Sequence, residues 1–271
     1  MTELFACSRM YNVSPEVTAA WDALYAYLVE QTGIPLNVIY HAFPEPIEEL
    51  WQRPLMGPTL MCGYPYIRAQ PRPKLIAAPV PSPAHYHGRS VYFSHLLVAE
   101  DSPFQTIEDT FGHRLSWTIE NSQSGYNAIR SFLLQFQSEE RPLLYKDSIG
   151  PIGTFTVGVE GIRNNEIDVV PIDSFSYDLM SKYAPEKLAG TRIIATTPAS
   201  PFPPLVAGHD VPDATVEEFK TAVFHAHTAP ELKEAFDTMM ITRFTAVTPD
   251  DYQFMRQQER DALLANYPMP S

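Results

Sequence analysis

The chain has 271 residues, 45% of them hydrophobic and 12% aromatic, which marks it as globular and not disordered. Its net charge of −13 excludes a nucleic-acid surface, which needs a basic face, but still allows local binding of a small anion through backbone dipoles and hydroxyls. No run is long and apolar enough for a transmembrane helix, and two cysteines in apolar settings, Cys7 and Cys62, do not form a disulfide framework.

In chain order, Leu4 to Val13 reads as a first strand ending in Met10-Tyr11-Asn12-Val13. Ser14-Pro15-Glu16 then opens a helix with cap, first-turn proline and first-turn acid in place. Val17, Ala20, Trp21, Leu24, Tyr25 and Leu28 share its apolar face, and Gly33 closes it. Leu36 to Tyr40 is a second strand, Ile47 to Trp51 a short helix, and Leu60 to Cys62 a third strand stopping at Gly63-Tyr64-Pro65. Lys74 to Ala78 and the long Ser90 to Ala99 are further strands. Tyr11 and Tyr64 follow strand ends, where an aromatic wall with a phenol handle suits a small polar solute. The competing reading of each is an ordinary half-buried tyrosine. Tyr92, like Arg89, precedes a presumed crossing into another domain and is a candidate contact from there.

The strand Arg114 to Ile119 leads into Glu120-Asn121-Ser122-Gln123-Ser124-Gly125-Tyr126-Asn127, and then a helical apolar pattern at Ala128, Ile129, Phe132, Leu133 and Phe136. Strand, small polar loop and helix place unpaired N–H groups and hydroxyls at a helix N-terminus, a natural seat for phosphonate, phosphate, sulfate or carboxylate. Gly125 lets a ligand approach without a Cβ in the way. The competing role for Ser122 or Ser124 is to cap the helix. Beyond this, Gly153-Thr154 leads a helix through Ile162, Val169 to Ile172 is a strand, and a helix covers Phe175 to Tyr183. Arg192 to Ala195 and Leu205 to Ala207 are return and core strands. Thr215-Val216-Glu217-Glu218 reads as a capping box, Ala229 to Met239 as a helix, and Thr248-Pro249-Asp250-Asp251 as the start of a last helix toward Leu264. The 26 prolines cluster between these elements and mark connections.

No nucleophile elbow, P-loop, dinucleotide fingerprint or paired-Cys zinc site occurs, so the sequence calls for no cofactor. The pairs His85-x-His87 and His225-x-His227 lack further ligands at metal spacing, and no metal site is assigned.

The segment around Ser122 resembles the N-S-x-S-G-Y signature of phosphonate-type periplasmic binding proteins, the solute receptors of ABC importers. Gly161 to Ser174 is similar to the same family's x-A-D-V-A-A-I-D stretch, and Ser102 to Leu115 to its entry into the second domain. The three matches keep their order across roughly Met61 to Asp178. The resemblance implies an α/β, two-lobed type 2 binding-protein fold of the "Venus flytrap" kind, mixed sheets flanked by helices with a ligand cleft between lobes. On that reading lobe one is Met1–His95 plus Ser200–Ser271, and lobe two is Leu96–Ala199, with two crossings. It further implies a small anionic or zwitterionic solute, an ABC permease as partner, and no catalytic residue.

By this resemblance Ser122, Ser124, Gly125 and Tyr126 form the anion-binding turn, and Asp173 meets a ligand ammonium, its other role being a helix cap. Thr154 offers a hydroxyl, but Phe155 stands where the family has a histidine, which favours a carboxylate or monoanionic head group. The family is periplasmic. Met1 to Val13, however, lacks the basic and apolar regions of a secretory signal, which leaves a cytoplasmic role open. An enzyme on the same fold, similar to menaquinone-pathway lyases or thiamine-pyrimidine synthases, is the alternative, with Asp173, His209 or His113 as its acid or base. A ligand sensor is the third reading.

Overall fold

The computed structural model describes residues 3–271. Its elements run β1 (Leu4–Cys7), α1 (Pro15–Thr32), β2 (Leu36–Val38), α2 (Ile47–Gln52), β3 (Met56–Leu60), α3 (Gly63–Arg68) and β4 (Lys74–Pro81). They continue with β5 (Val91–Tyr92), β6 (Ser94–Ala99), β7 (Arg114–Ser116), a π-helical turn Gln123–Asn127 running into α4 (Ala128–Leu133), β8 (Asp147–Ile149) and α5 (Phe155–Arg163). The remainder is β9 (Val170–Asp173), α6 (Ser174–Tyr183), β10 (Thr191–Thr196), β11 (Ser200–Pro201), β12 (Leu205–Ala207), α7 (Asp213–Ala226), α8 (Lys233–Met239), β13 (Ile241–Thr245) and α9 (Gln253–Leu264).

The chain divides into two compact units, 1–91 with 201–252 and 92–200 with 253–271. It therefore passes from one unit to the other three times, where two crossings were expected. The C-terminal residues from Gln253 onward, assigned by sequence to the first lobe, belong to the second unit. The reason is polar pairing: Asn127 donates to the Met255 carbonyl at 3.0 Å, and Leu144 N–H to the Ser271 carbonyl at 3.0 Å.

Unit 1 is built on a six-stranded sheet in the order β13-β4-β12-β3-β1-β2. β1 is parallel to both β2 and β3, whereas β12 is antiparallel to β3 and β4, and β13 antiparallel to β4. The sheet is thus mixed, as the resemblance implied. Helix α1 starts as the sequence dictates: Ser14 Oγ accepts from Val17 N–H at 3.3 Å, Pro15 occupies the first turn, and Gly33 ends the helix at φ +68°. Its face of Val17, Trp21, Leu24, Tyr25 and Leu28 is fully buried. Cys7 and Cys62 are buried free thiols.

Three boundaries in this unit differ from the sequence pattern. β1 ends at Cys7 because the chain closes a tight turn, Tyr11 N–H reaching the Ser8 carbonyl at 3.0 Å. The run after Leu60 is no strand end but the start of α3 at Gly63. Helix α7 begins at Asp213 behind Pro212, so Thr215 lies inside its first turn and caps nothing.

Unit 2 holds an antiparallel sheet β10-β6-β9 and a parallel pair β7-β8, joined by a parallel bridge between Leu115 and Val169. Leu96, Val98, Leu115, Ile129, Leu133, Val169 and Tyr267 form its core. Arg114 closes this sheet with a two-pronged pair to Asp168, at 2.8 and 3.0 Å, and Arg114 N–H adds a third bond at 2.9 Å. The guanidinium holds the Asp168 carboxyl below its usual range.

Replacing Ser14 by Ala should remove the α1 cap and lower stability by about 1 kcal/mol, seen as a lower urea midpoint at unchanged slope.

Candidate functional site

The carboxyl ends of β7, β8 and the β9 strand lie at one edge of unit 2, because β7 pairs in parallel with β8 on one side and bridges in parallel to Val169 on the other. Each end feeds a helix. β7 leads to the turn at Ser122, β8 to Thr154 and α5, and β9 to Asp173 and α6. Three helix N-termini, each with a partial positive charge, therefore gather at the strand ends where open α/β sheets bind ligands, although at α6 the Ser174 and Ser176 N–H groups are already taken by the Phe93 carbonyl and Asp173.

The turn after β7 is held from several sides. Ser122 accepts from Gly125 N–H at 2.8 Å and so serves as the cap, the more ordinary of its two predicted roles. The side chain of Ser124, half-buried two residues after the cap, makes no hydrogen bond among the described residues. Its hydroxyl is the one left uncommitted. Gly125 is required for packing: a Cβ there would run into the Thr118 side chain, and Thr118 N–H bonds the Gly125 carbonyl at 3.2 Å. Tyr126 spends its hydroxyl on the Pro268 carbonyl at 2.7 Å and packs edge-on against Trp117 at 5.1 Å.

Thr154 precedes α5 without capping it, its hydroxyl lying 3.2 Å from that of Thr156. The loop before it is tied to the β7 exit, Ile152 and Gly153 N–H groups bonding the Trp117 and Thr118 carbonyls at 3.2 and 3.0 Å. Gly153, next to Thr154, and Gly125 thus both bond the backbone of the same residue, Thr118. Phe155, in the place of the family's histidine, is half-buried, and Gly158 has no room for a Cβ beside Val170.

Asp173 caps α6, Oδ1 accepting from Ser176 N–H at 2.8 Å. Burial pushes its carboxyl up to about 6, against the pull of the Ser176 bonds. The residue as a whole keeps some accessible surface, but the carboxyl is enclosed by protein. A carboxylate so placed is ionised at neutral pH without an opposing cation among the causes that set its acidity.

The three predicted tyrosines are enclosed. Tyr11 and Tyr64 belong to unit 1 and are each 1% exposed, the first against Phe202 at 5.5 Å, the second beneath the Arg68 guanidinium at 4.9 Å. Tyr92, at the start of unit 2, is 2% exposed. Of the suspected acids and bases, His113 precedes β7 and so lies at the opposite end of that strand from the turn, packed edge-on against Phe104. His209 belongs to unit 1 and is exposed.

Sequence reasoning missed Gln123, Asn127 and Arg130, all buried. Asn127 Nδ2 donates to Gln123 Oε1 at 2.8 Å, and Asn127 Oδ1 accepts from Arg130 Nη2 at 2.9 Å. Their spacing of four and then three residues, a polar stripe on a helix that is otherwise apolar, was the signal available.

A family model described as the periplasmic substrate-binding protein of phosphonate ABC transporters matches residues 11–252. Among solved structures, a binding-protein component of an ABC phosphonate transporter from Pseudomonas aeruginosa is similar at 17% identity and TM-score 0.79, over 97% of this chain and 87% of that one. A phosphonate-binding protein from Prochlorococcus marinus, in complex with methylphosphonate, gives 15% identity and TM-score 0.78 over 96% and 98%. The periplasmic aliphatic sulphonate-binding protein of Escherichia coli gives 14% identity and TM-score 0.57 over 97% and 87%. No curated protein matches in sequence. The fold is that of the periplasmic solute-binding proteins. The chain belongs to the family of substrate-binding proteins of phosphonate ABC transporters.

Asp173→Asn should change the pH profile of stability. A folded-state carboxyl near 6 against about 3.9 unfolded contributes stability below about pH 4 that is lost as pH rises to about 6. Asn caps about as well as Asp. The variant should therefore gain on the parent by at most about 3 kcal/mol between pH 4 and 7 in urea titrations. A difference that stays flat with pH would mean that Asp173 titrates normally.

Proposed function

We propose that this chain binds a small monoanionic or zwitterionic solute at the carboxyl edge of unit 2. The anionic group sits at the turn Ser122–Tyr126 and the open N-terminus of α5, and an ammonium, where present, meets Asp173. The observation that carries the reading is the gathering of three helix N-termini, one closed by Asp173 and another left uncapped at Thr154. Ser124 supplies an uncommitted hydroxyl beside them. Phe155 brings no charge to the site, so a monoanionic phosphonate, sulfonate or carboxylate is favoured over a dianion. Delivery of the solute to an ABC permease follows from the family, and the periplasm is its expected compartment. The reading as a binding protein, not an enzyme, is supported by the family, which is one of transport substrate-binding proteins.

Calorimetry with methylphosphonate, 2-aminoethylphosphonate, an alkyl sulfonate and short carboxylates tests the reading. At 100-fold over its dissociation constant a true ligand stabilises the fold by about 2.7 kcal/mol. Ser124→Ala should weaken binding roughly tenfold to a hundredfold by removing a hydrogen bond to a charged group. Ser124→Asp should abolish binding, and retention of parent affinity would misplace the anion seat.

Ammonium-bearing ligands give a second check. An ammonium beside Asp173 lowers its carboxyl from about 6, so binding at pH 6 should release protons, seen as enthalpies that vary with buffer. Asp173→Asn should remove that release and weaken zwitterions more than simple anions.

A further inference from the structure

The family match ends at Tyr252, and the chain re-enters unit 2 at Gln253. From there to Ser271 it makes one polar contact after another with the segment that carries the binding turn. Gln258, on α9, accepts through Oε1 from Gln123 Nε2 at 2.7 Å and from Asn127 Nδ2 at 3.4 Å. The Met255 carbonyl, one turn earlier, takes a second bond from Asn127 Nδ2. Further on, the single Pro268 carbonyl accepts from both Tyr126 Oη and Arg130 Nη1, at 2.7 and 2.8 Å. The Pro270 carbonyl takes the Ser148 hydroxyl, which in turn accepts from Trp117 Nε1 at 3.0 Å.

We infer that residues 253–271 form a strap that sets the geometry of the anion-binding turn, with Gln258 as its principal positioning residue. Gln123 and Asn127 are fully buried, and their amide groups have fixed demands for acceptors. Gln258 Oε1, at 2.7 Å, lies closer to Gln123 Nε2 than Ser200 Oγ does, at 3.1 Å. Gln123 opens the π-helical turn and Asn127 closes it, so a shift in either reorients the Ser124 and Gly125 N–H groups between them. A π turn is a rare, single-turn departure from α-helical geometry, and here contacts from outside the turn hold both of its ends. The strap never touches solute. It acts through the turn, and this role in binding rests on the anion seat proposed above.

Hydrogen exchange of the ligand-free full chain, followed by mass spectrometry, tests the inference without needing a ligand. In Gln258→Met, similar in size but lacking the acceptor, amides 122–128 should exchange at least tenfold faster, while those of α6 stay at parent rates. Gln258→Glu, which restores the acceptor oxygen, should return amides 122–128 to near-parent protection. Calorimetry with methylphosphonate should show about a tenfold weaker dissociation constant for Gln258→Met and unchanged binding stoichiometry. Parent protection at 122–128 in Gln258→Met would overturn the strap. So would acceleration spread evenly over unit 2, which reports general loosening. If the parent fails to bind methylphosphonate or any other anion tested, the proposed function falls while the exchange result still decides the strap.

Discussion

The parallel registration of β7 with β8 and with the residues before β9 is the constraint on which the rest depends. Parallel strands that share an edge must send their following helices away from that edge, and all their N-termini then face one place. The Arg114–Asp168 pair secures it, since the guanidinium bonds both carboxylate oxygens and the backbone N–H of Arg114 adds a third link. Two acids of a single motif thus do opposite work. Asp168, paired with a cation, is held below its usual range and locks strands. Asp173, five residues later, is enclosed without one and becomes a much weaker acid. The difference lies in surroundings, not in residue type.

A chain with a net charge of −13 binds anions, on this account, without a basic surface. Helix termini supply partial positive charge that is fixed in direction and acts over a turn or so. The long-range field of the molecule opposes an approaching anion, so affinity has to come from contact geometry and not from steering. That places a premium on rigidity in the turn. Thr118 pressed against Gly125, and the amide cluster of Gln123 and Asn127 beneath it, meet that demand.

Much of the fold was legible where local chemistry decides. Helix α1 shows its cap, its proline, its apolar face and its terminal glycine, and the structure repeats each of them. The order of strands and helices through the second unit follows the same way, as does the family. What was hidden was long-range. β13 escapes the period-two test because a bulge interrupts its pairing with β4, leaving Thr242 and Arg243 both exposed. β8 is three residues with an aspartate and a serine, too short and polar to announce itself. The return of the C-terminus to unit 2 rests on backbone carbonyls of Met255 and Pro268, which no side-chain pattern encodes. The serines, Thr154 and Asp173 follow or end the strands β7, β8 and β9, and their meeting with a solute is the proposal made above. Tyr126 instead spends its hydroxyl on Pro268, and Gly125 serves packing, because neighbours 7 to 142 residues away claim them.

Trp117 carries a practical consequence. The chain has three tryptophans, and Trp21 and Trp51 both lie in unit 1. Trp117 alone belongs to unit 2, buried, with its indole edge against Tyr126 and its N–H on Ser148. It stands one residue from Thr118, whose side chain presses on the turn at Gly125 and whose carbonyl holds the loop before α5. With Trp21 and Trp51 replaced by phenylalanine and excitation selective for tryptophan, emission would report from the proposed solute edge of unit 2. Its colour and quenching could then be followed in real time without attaching any dye.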